Sequence, residues 1–278
     1  MHTRSSLLKQ LESLGIDPQG TLLVHSSFKS IGEVEGGADT VLDVLSEYMK
    51  EGLLVLPTHT WSYINGENPR FSVLESPSCV GILPELFRAR PGVIRSWHPT
   101  HSVAALGADA AGFTAGDERW DTPCARKSVY GKLLDRKADI MLLGVDLRRN
   151  TFIHGIEEWV DIPGRMTDGH EPLCTVTPGG QEIPVPSRRH SGLSWSQHFW
   201  KVESVLEDGG ALRRGSFGDA AVMLCGTVET TRILSAMLEE NPDLFSDNEP
   251  LGGQDVPEAL PKTKREQPLQ AAMRRTEG

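Results

Sequence analysis

The sequence has no run approaching the roughly 18 consecutive apolar residues of a membrane-spanning helix. Its start, MHTRSSLLKQLESLG, has no apolar stretch of signal-peptide length either. These absences set the expectation of a cytoplasmic protein without a membrane partner. Cysteine is scarce: Cys79, Cys124, Cys174 and Cys225 stand far apart with no C-x-x-C pair. That usage excludes a disulfide framework and fits packing residues of a reduced protein. Basic charge is in deficit, with 28 Lys and Arg against 38 Asp and Glu and a net charge of −10. Nucleic acid is therefore excluded as a partner, and cationic small molecules are mildly favoured.

What is present reads as an α/β protein. At 278 residues the chain can bury a substantial core without a staple. Leu7, Leu8, Leu11 and Leu14 are spaced for an amphipathic helix that Gly15 stops. A short apolar strand follows at 21–25, then a glycine-containing loop at 31–37, a helix over about 38–50 and a second strand at 52–57. Strand, loop, helix, strand is the pattern of a parallel sheet. It recurs at 138–145, a central strand, and 150–159, a helix with Asn150 or Thr151 as N-cap. Residues 174–185 alternate around Pro178-Gly179-Gly180 and predict a β-hairpin. The expected fold is a mixed, mostly parallel central sheet flanked by helices, with that hairpin in the C-terminal half and a last helix over 228–239. Residues 1–245 read as one domain. From 246 to 278 the composition turns to Pro, Gln, Lys, Glu and Gly, which predicts a disordered tail.

Four polar clusters fall in loops that follow strands, where parallel sheets carry function. The first runs from His25 through Ser26, Ser27, Lys29 and Ser30 to Gly32. Its hydroxyls, lysine and glycine-freed amides suit phosphate or pantetheine groups, although the P-loop spacing is absent. Taken alone it is equally an ordinary strand-to-helix connection. The second, Trp97-His98-Pro99-Thr100-His101-Ser102, is an extended or turn segment because Pro99 disfavours helix at His98. The third contains Asp121, Cys124 and Ser128; Asp121 is a candidate for a site wall, and a thiol nucleophile at Cys124 is not indicated without a base. In the fourth, Thr151, His154 and Glu157 or Glu158 share a helix face, bringing a hydroxyl, an imidazole and a carboxylate together. Histidine is suited to accept a proton near neutral pH, and a carboxylate can orient it. The rival chemistry is a zinc hydrolase built on His98, His101, His154 and Glu157, with the H-E-x-x-H spacing missing.

In order along residues 1–240, these segments resemble the aminoglycoside 3-N-acetyltransferase (antibiotic N-acetyltransferase) family. The likeness rests on Leu23-Val24-His25-Ser26-Ser27, Ser30-Ile31-Gly32, Gly36-Gly37-Ala38 and Leu56-Pro57-Thr58. It continues through Arg95-Ser96-Trp97-His98-Pro99, Leu142-Leu143-Gly144, Thr151-Phe152-Ile153-His154-Gly155-Ile156-Glu157 and Gly218-Asp219-Ala220. The resemblance implies acetyl-CoA as donor, a small-molecule amine as acceptor, no metal, and direct transfer with His154 as base. It implies that Glu157 supports the base or binds a cationic substrate, that Thr151 lies near the thioester, and that Ser102 joins the 25–32 segment in holding the donor. Asp121, His101, Arg189 and His190 are the expected acceptor contacts, and a homodimer is left open. Two departures stand out. The long insertion that family members acting on aminoglycosides carry after Pro57-Thr58 is short here. Where those members place an acidic residue, this chain has Ser187-Arg188-Arg189-His190-Ser191, a change suited to an acceptor with an anionic group rather than a polycation.

Overall fold

A computed structural model describes residues 1–191 and 195–252. From the N-terminus the elements are α1 (Arg4–Ser13), β1 (Thr21–Ser26), α2 (Gly37–Tyr48), β2 (Leu53–Pro57), β3 (Arg70–Ser72) and α3 (Ile82–Arg88). Then come β4 (Ile94–Arg95), β5 (Val103–Gly107), α4 (Ala110–Thr114), α5 (Val129–Asp135), β6 (Asp139–Leu143) and α6 (Thr151–Trp159). The C-terminal part adds β7 (Cys174–Val176), β8 (Glu182–Pro184), α7 (Glu203–Asp208), β9 (Leu212–Phe217), β10 (Ala220–Gly226) and α8 (Thr227–Glu240). Among the described residues no helix is long and apolar enough to cross a membrane.

The strands divide their side chains between two cores. Leu22 and Val24 of β1, Leu54 and Leu56 of β2, and Met141 and Leu143 of β6 pack with α1, α2 and α3. Their neighbours Leu23, Leu53, Val55, Ile140 and Leu142 pack on the opposite face with α5, α6 and α8. Period-2 alternation between two apolar faces is why these strands read as unbroken hydrophobic runs. The seven strands lie in the order β4-β5-β2-β1-β6-β10-β9. β1 is parallel to both β2 and β6, but the other neighbours (β2 with β5, β5 with β4, β6 with β10, β10 with β9) are antiparallel. The sheet is mixed as expected and not mostly parallel. Its outer strands are joined by short hairpins, such as the Gly218-Asp219 turn, which allow only antiparallel neighbours.

The expected hairpin is present as β7 and β8, but it stands outside the large sheet. With β3 it forms a separate three-stranded sheet, β3-β7-β8, over a small core of Ile64, Phe71, Val73 and Leu173. The predicted tail lies outside the described residues from 253 onward. Its first residues are held by the 195–202 helical turn: Lys201 Nζ donates to Asp247 at 2.8 Å and Trp200 Nε1 to Asn248 at 3.1 Å.

Three of the family-like motifs meet in one knot behind the C-terminal ends of β1 and β6. Ser30 Oγ donates to Ser27 Oγ at 2.9 Å and approaches the Gly144 carbonyl at 3.2 Å. A Cβ on Gly144, whose φ is +65°, would fall 2.4 Å from Ser30 Cβ, and one on Gly32 would fall 2.0 Å from Asp219 Oδ2. Gly144→Ala is therefore expected to destabilise the protein by about 1–3 kcal/mol through backbone strain and overlap. A urea midpoint equal to wild type would show that the knot relaxes without penalty.

Candidate active site

A cavity of about 590 Å³ opens over the C-terminal ends of the parallel strands β1, β2 and β6. It is lined by His25 and Ser26 from the end of β1, His59 and Trp61 beyond β2, and Arg148, Arg149, Asn150, Thr151 and His154 around the start of α6. His101, Arg189 and His190 also line it.

Helix α6 places His154. Asn150 caps it, accepting the Phe152 N–H through Oδ1. Thr151 and His154, three residues apart, then face the cavity while Phe152, Ile153 and Ile156 enter the core. His154 Nδ1 lies 2.8 Å from Glu157 Oε2, and Arg165 Nε donates to Glu157 Oε1 at 2.7 Å. Burial opposes ionisation of Glu157, yet the bonds and charges of His154 and Arg165 outweigh it and hold the carboxyl below its usual range. An ionised carboxylate only accepts, so His154 carries its proton on Nδ1 and keeps the Nε2 lone pair free. Arg165 is held in turn by stacking on Trp195, 3.6 Å from its centroid, and by donating to the Pro242 carbonyl at 2.9 Å.

A second row of imidazoles adjoins His154. His190 stacks on His154 with centroids 4.2 Å apart and planes at 22°. His101 meets His190 edge-on at 5.6 Å, and His59 lies 4.7 Å from His101. His59 Nε2 is 2.6 Å from the buried Tyr130 hydroxyl. Burial keeps these rings neutral: His25 is lowered to about 3 and His98 to about 4, and His59, His101 and His190 also fall well below the ordinary value. Glu158 moves the other way, raised by burial to about 7.

Of the residues expected to act, His25, Ser26, His101, Thr151, His154, Arg189 and His190 line the cavity, and Glu157 lies directly behind it. Ser27, Ser30 and Gly32 form the knot already described, and Lys29 is exposed beside it. Ser102 is fully buried below the floor, donating to the Thr58 carbonyl at 3.0 Å and accepting from Arg95 Nε at 3.1 Å. Asp121 is exposed and paired with His170 at 2.7 Å, outside the lining. Arg189 is already committed to Glu171 at 2.7 Å and to the carbonyls of Trp61 and Ile64. The proposed zinc ligands do not converge. His98 Nδ1 accepts the His101 N–H at 3.1 Å and Glu157 is occupied by His154 and Arg165. Among the described residues the one group with metal-capable atoms within 4.8 Å is Cys124, Glu158 and His190.

Sequence reasoning missed His59, Arg148, Arg149 and Arg165. His59 follows Pro57-Thr58 at the end of a parallel strand, a position that signals a site wall. The Arg148-Arg149 pair stands just before the N-cap of the active helix. Arg165 carried no signal, because an irregular turn brings it back to Glu157.

Fold and site together define an α/β acyltransferase with a carboxylate-supported histidine at the cavity wall. The chain belongs to the aminoglycoside 3-N-acetyltransferase family, whose model matches residues 23–239. It is 32% identical over 190 residues to aminoglycoside N(3)-acetyltransferase VII of Streptomyces paromomycinus, covering 62% of this chain and 66% of that protein. Among solved structures it resembles a histidine-to-alanine mutant of aminoglycoside acetyltransferase AAC(3)-IVa in complex with a gentamicin. That match has a TM-score of 0.77 and 25% identity, covering 87% of this chain and 90% of that one. It also resembles AAC-IIIb bound to CoASH, with a TM-score of 0.75 and 25% identity over 86% of this chain and 97% of that one. The family uses acetyl-CoA as cosubstrate.

The neutral buried histidines predict acid lability. As pH falls below about 6.5, His25, His59, His98, His101 and His190 gain protons in the unfolded chain but not in the native one. The unfolded state then binds more protons, so stability falls with pH, by at most about 1.4 kcal/mol per unit for each group. Asp117 and Glu158, raised by burial to about 6 and about 7, act in the opposite sense but are fewer. The urea midpoint is expected to drop steadily from pH 6.5 to pH 4; a level or rising midpoint would contradict this.

Proposed function

We propose that the chain is an N-acetyltransferase that moves an acetyl or short acyl group from acetyl-CoA to a primary amine of a small molecule. The observation that carries this is the row Arg165, Glu157, His154 at the cavity wall. An ammonium cannot attack a thioester, so the site must hold a neutral amine against the carbonyl and take up its proton. His154 does this through Nε2, and Glu157, kept ionised, stabilises the imidazolium that forms. Thr151, on the same helix face, lies beside the thioester. Acetyl-CoA supplies the activated acyl group.

Unpaired polar groups support binding of the donor. His25 Nε2 and Ser26 Oγ have no hydrogen-bond partner among the described residues, and Arg149 stands exposed at the cavity wall. Amide and phosphate groups would satisfy them. The 27–32 turn and Ser102 would then act from behind, by holding β1, β2 and the floor in place.

The lining also bears on the acceptor. Among the described residues it contains no aspartate or glutamate, and of its three arginines Arg148 is paired with Asp146 and Arg189 with Glu171, which leaves Arg149 as the cation facing an acceptor. A polycation would lose water there without gaining compensating carboxylates. The favoured acceptor is an amine of low positive charge, with an acidic group tolerated.

Acetyl-CoA at roughly 100 times its dissociation constant should add about 2.7 kcal/mol of stability, read as a raised melting temperature. His154→Ala should keep that shift and lose about 10²–10⁴ in kcat; near-normal turnover would place the base elsewhere. Measured by release of CoA thiol, glucosamine 6-phosphate should be acetylated with a higher kcat/KM than kanamycin, and the reverse order would refute the charge argument.

A further inference from the structure

Helix α6 carries two consecutive glutamates, and each holds a histidine. Glu157 Oε2 is 2.8 Å from His154 Nδ1, and Glu158 Oε1 is 2.8 Å from His190 Nε2. The second histidine arrives from a distant segment beyond β8, yet its ring stacks on the first, 4.2 Å between centroids. Both imidazoles line the cavity, and each keeps one ring nitrogen outside its glutamate bond. Two stacked imidazoles so close repel when both are protonated, so the pair carries one charge at a time.

The transfer needs two proton acceptors. A primary amine arrives as an ammonium ion. As its nitrogen bonds to the acetyl carbon and the carbon–sulfur bond breaks, the nitrogen loses two protons in total. One ends on the sulfur of CoA and the other in water. A single histidine serves one of these transfers at a time.

We propose that His190, oriented by Glu158, takes the first proton from the arriving ammonium group and passes it to water at the cavity mouth. His154 is thereby left free to remove the second proton as the N–C bond forms and to return it to the departing sulfur. This assignment rests on the acetyl-transfer reading of the same site.

Burial holds His190 well below the ordinary imidazole range, so it is neutral at rest, open to a proton, and holds that proton only in transit to water. His190 faces His154, Glu157 and Glu158 from α6, His101 from the 98–102 loop, and Cys124 from the segment before α5. Burial pushes the Cys124 thiol up, so among the described residues the glutamates are the anions available to it. Glu158, raised to about 7, exchanges its proton near neutrality, whereas Arg165 holds Glu157 ionised. Glu158 is anchored independently of His190, because Oε1 also accepts the Cys124 N–H at 2.9 Å.

The test is kcat/KM for total amine from pH 6.5 to 9.5, with the full-length wild type, His190→Asn, Glu158→Gln and His154→Ala. The acceptor is the best of glucosamine, glucosamine 6-phosphate and kanamycin. At pH 7 the His190 and Glu158 variants should lie about 10–100-fold below wild type. Their deficit should shrink with rising pH, by up to roughly tenfold per unit, and close near the pKa of the free amine, because solution then supplies the deprotonated acceptor. The His154→Ala deficit should persist throughout. A deficit of equal size at every pH, or none, overturns the proposal while leaving acetyl transfer intact. A wild type that releases no CoA thiol with any of the three amines overturns both. Glu158→Gln keeps an acceptor for the Cys124 N–H, so it gives the same readout if His190→Asn does not fold.

Discussion

The site depends on one buried carboxylate staying charged. Glu157 is 1% exposed and would be neutral in an apolar pocket; Arg165 on one side and His154 on the other keep it ionised. That single charge decides which nitrogen of His154 carries the proton, and therefore which nitrogen keeps a free lone pair. Arg165 is itself held by Trp195 and by the carbonyl of Pro242. The chemistry at α6 is thus tied to packing near the end of the described chain. A buried charge held from several directions is costly to disturb at any of them.

Next to it, Glu158 shows how much environment decides. It is adjacent in sequence and of the same residue type, but among the described residues no arginine bonds to it, and burial raises it to about 7. Two neighbouring glutamates thereby acquire different proton affinities. Burial likewise decides for the deeper histidines, which it keeps neutral.

Local patterns were legible in the sequence, and long-range ones were not. The helix over 150–159 and its cap could be read because apolar spacing and Asn150 are local signals, and the T-x-x-H-x-x-E spacing placed Thr151, His154 and Glu157 on one face. The hairpin at 174–184 was legible, but its partner β3 was not, since nothing in three residues at 70–72 announces a pairing 100 positions away. The strand directions were misjudged because the β9–β10 hairpin looks locally like any pair of buried strands. Ser30, Gly32, Gly144 and Gly218 look functional as motifs, whereas their contacts are those of close-packed turns. The histidine row escaped notice because His59, His101 and His190 come from three separate loops.

The small sheet has a different character from the large one. Its three strands of three residues each cover a core of four buried side chains, and β3 meets β7 only after roughly a hundred intervening residues have been laid down. Arg189 fastens its neighbourhood to the Trp61–Ile64 turn at the cavity rim. Short strands, few apolar contacts and distant pairing put this sheet at the low end of local stability. The large sheet is thus a fixed frame beneath the cavity, and the small one the part of the fold whose amides should exchange with solvent first, without loosening α6.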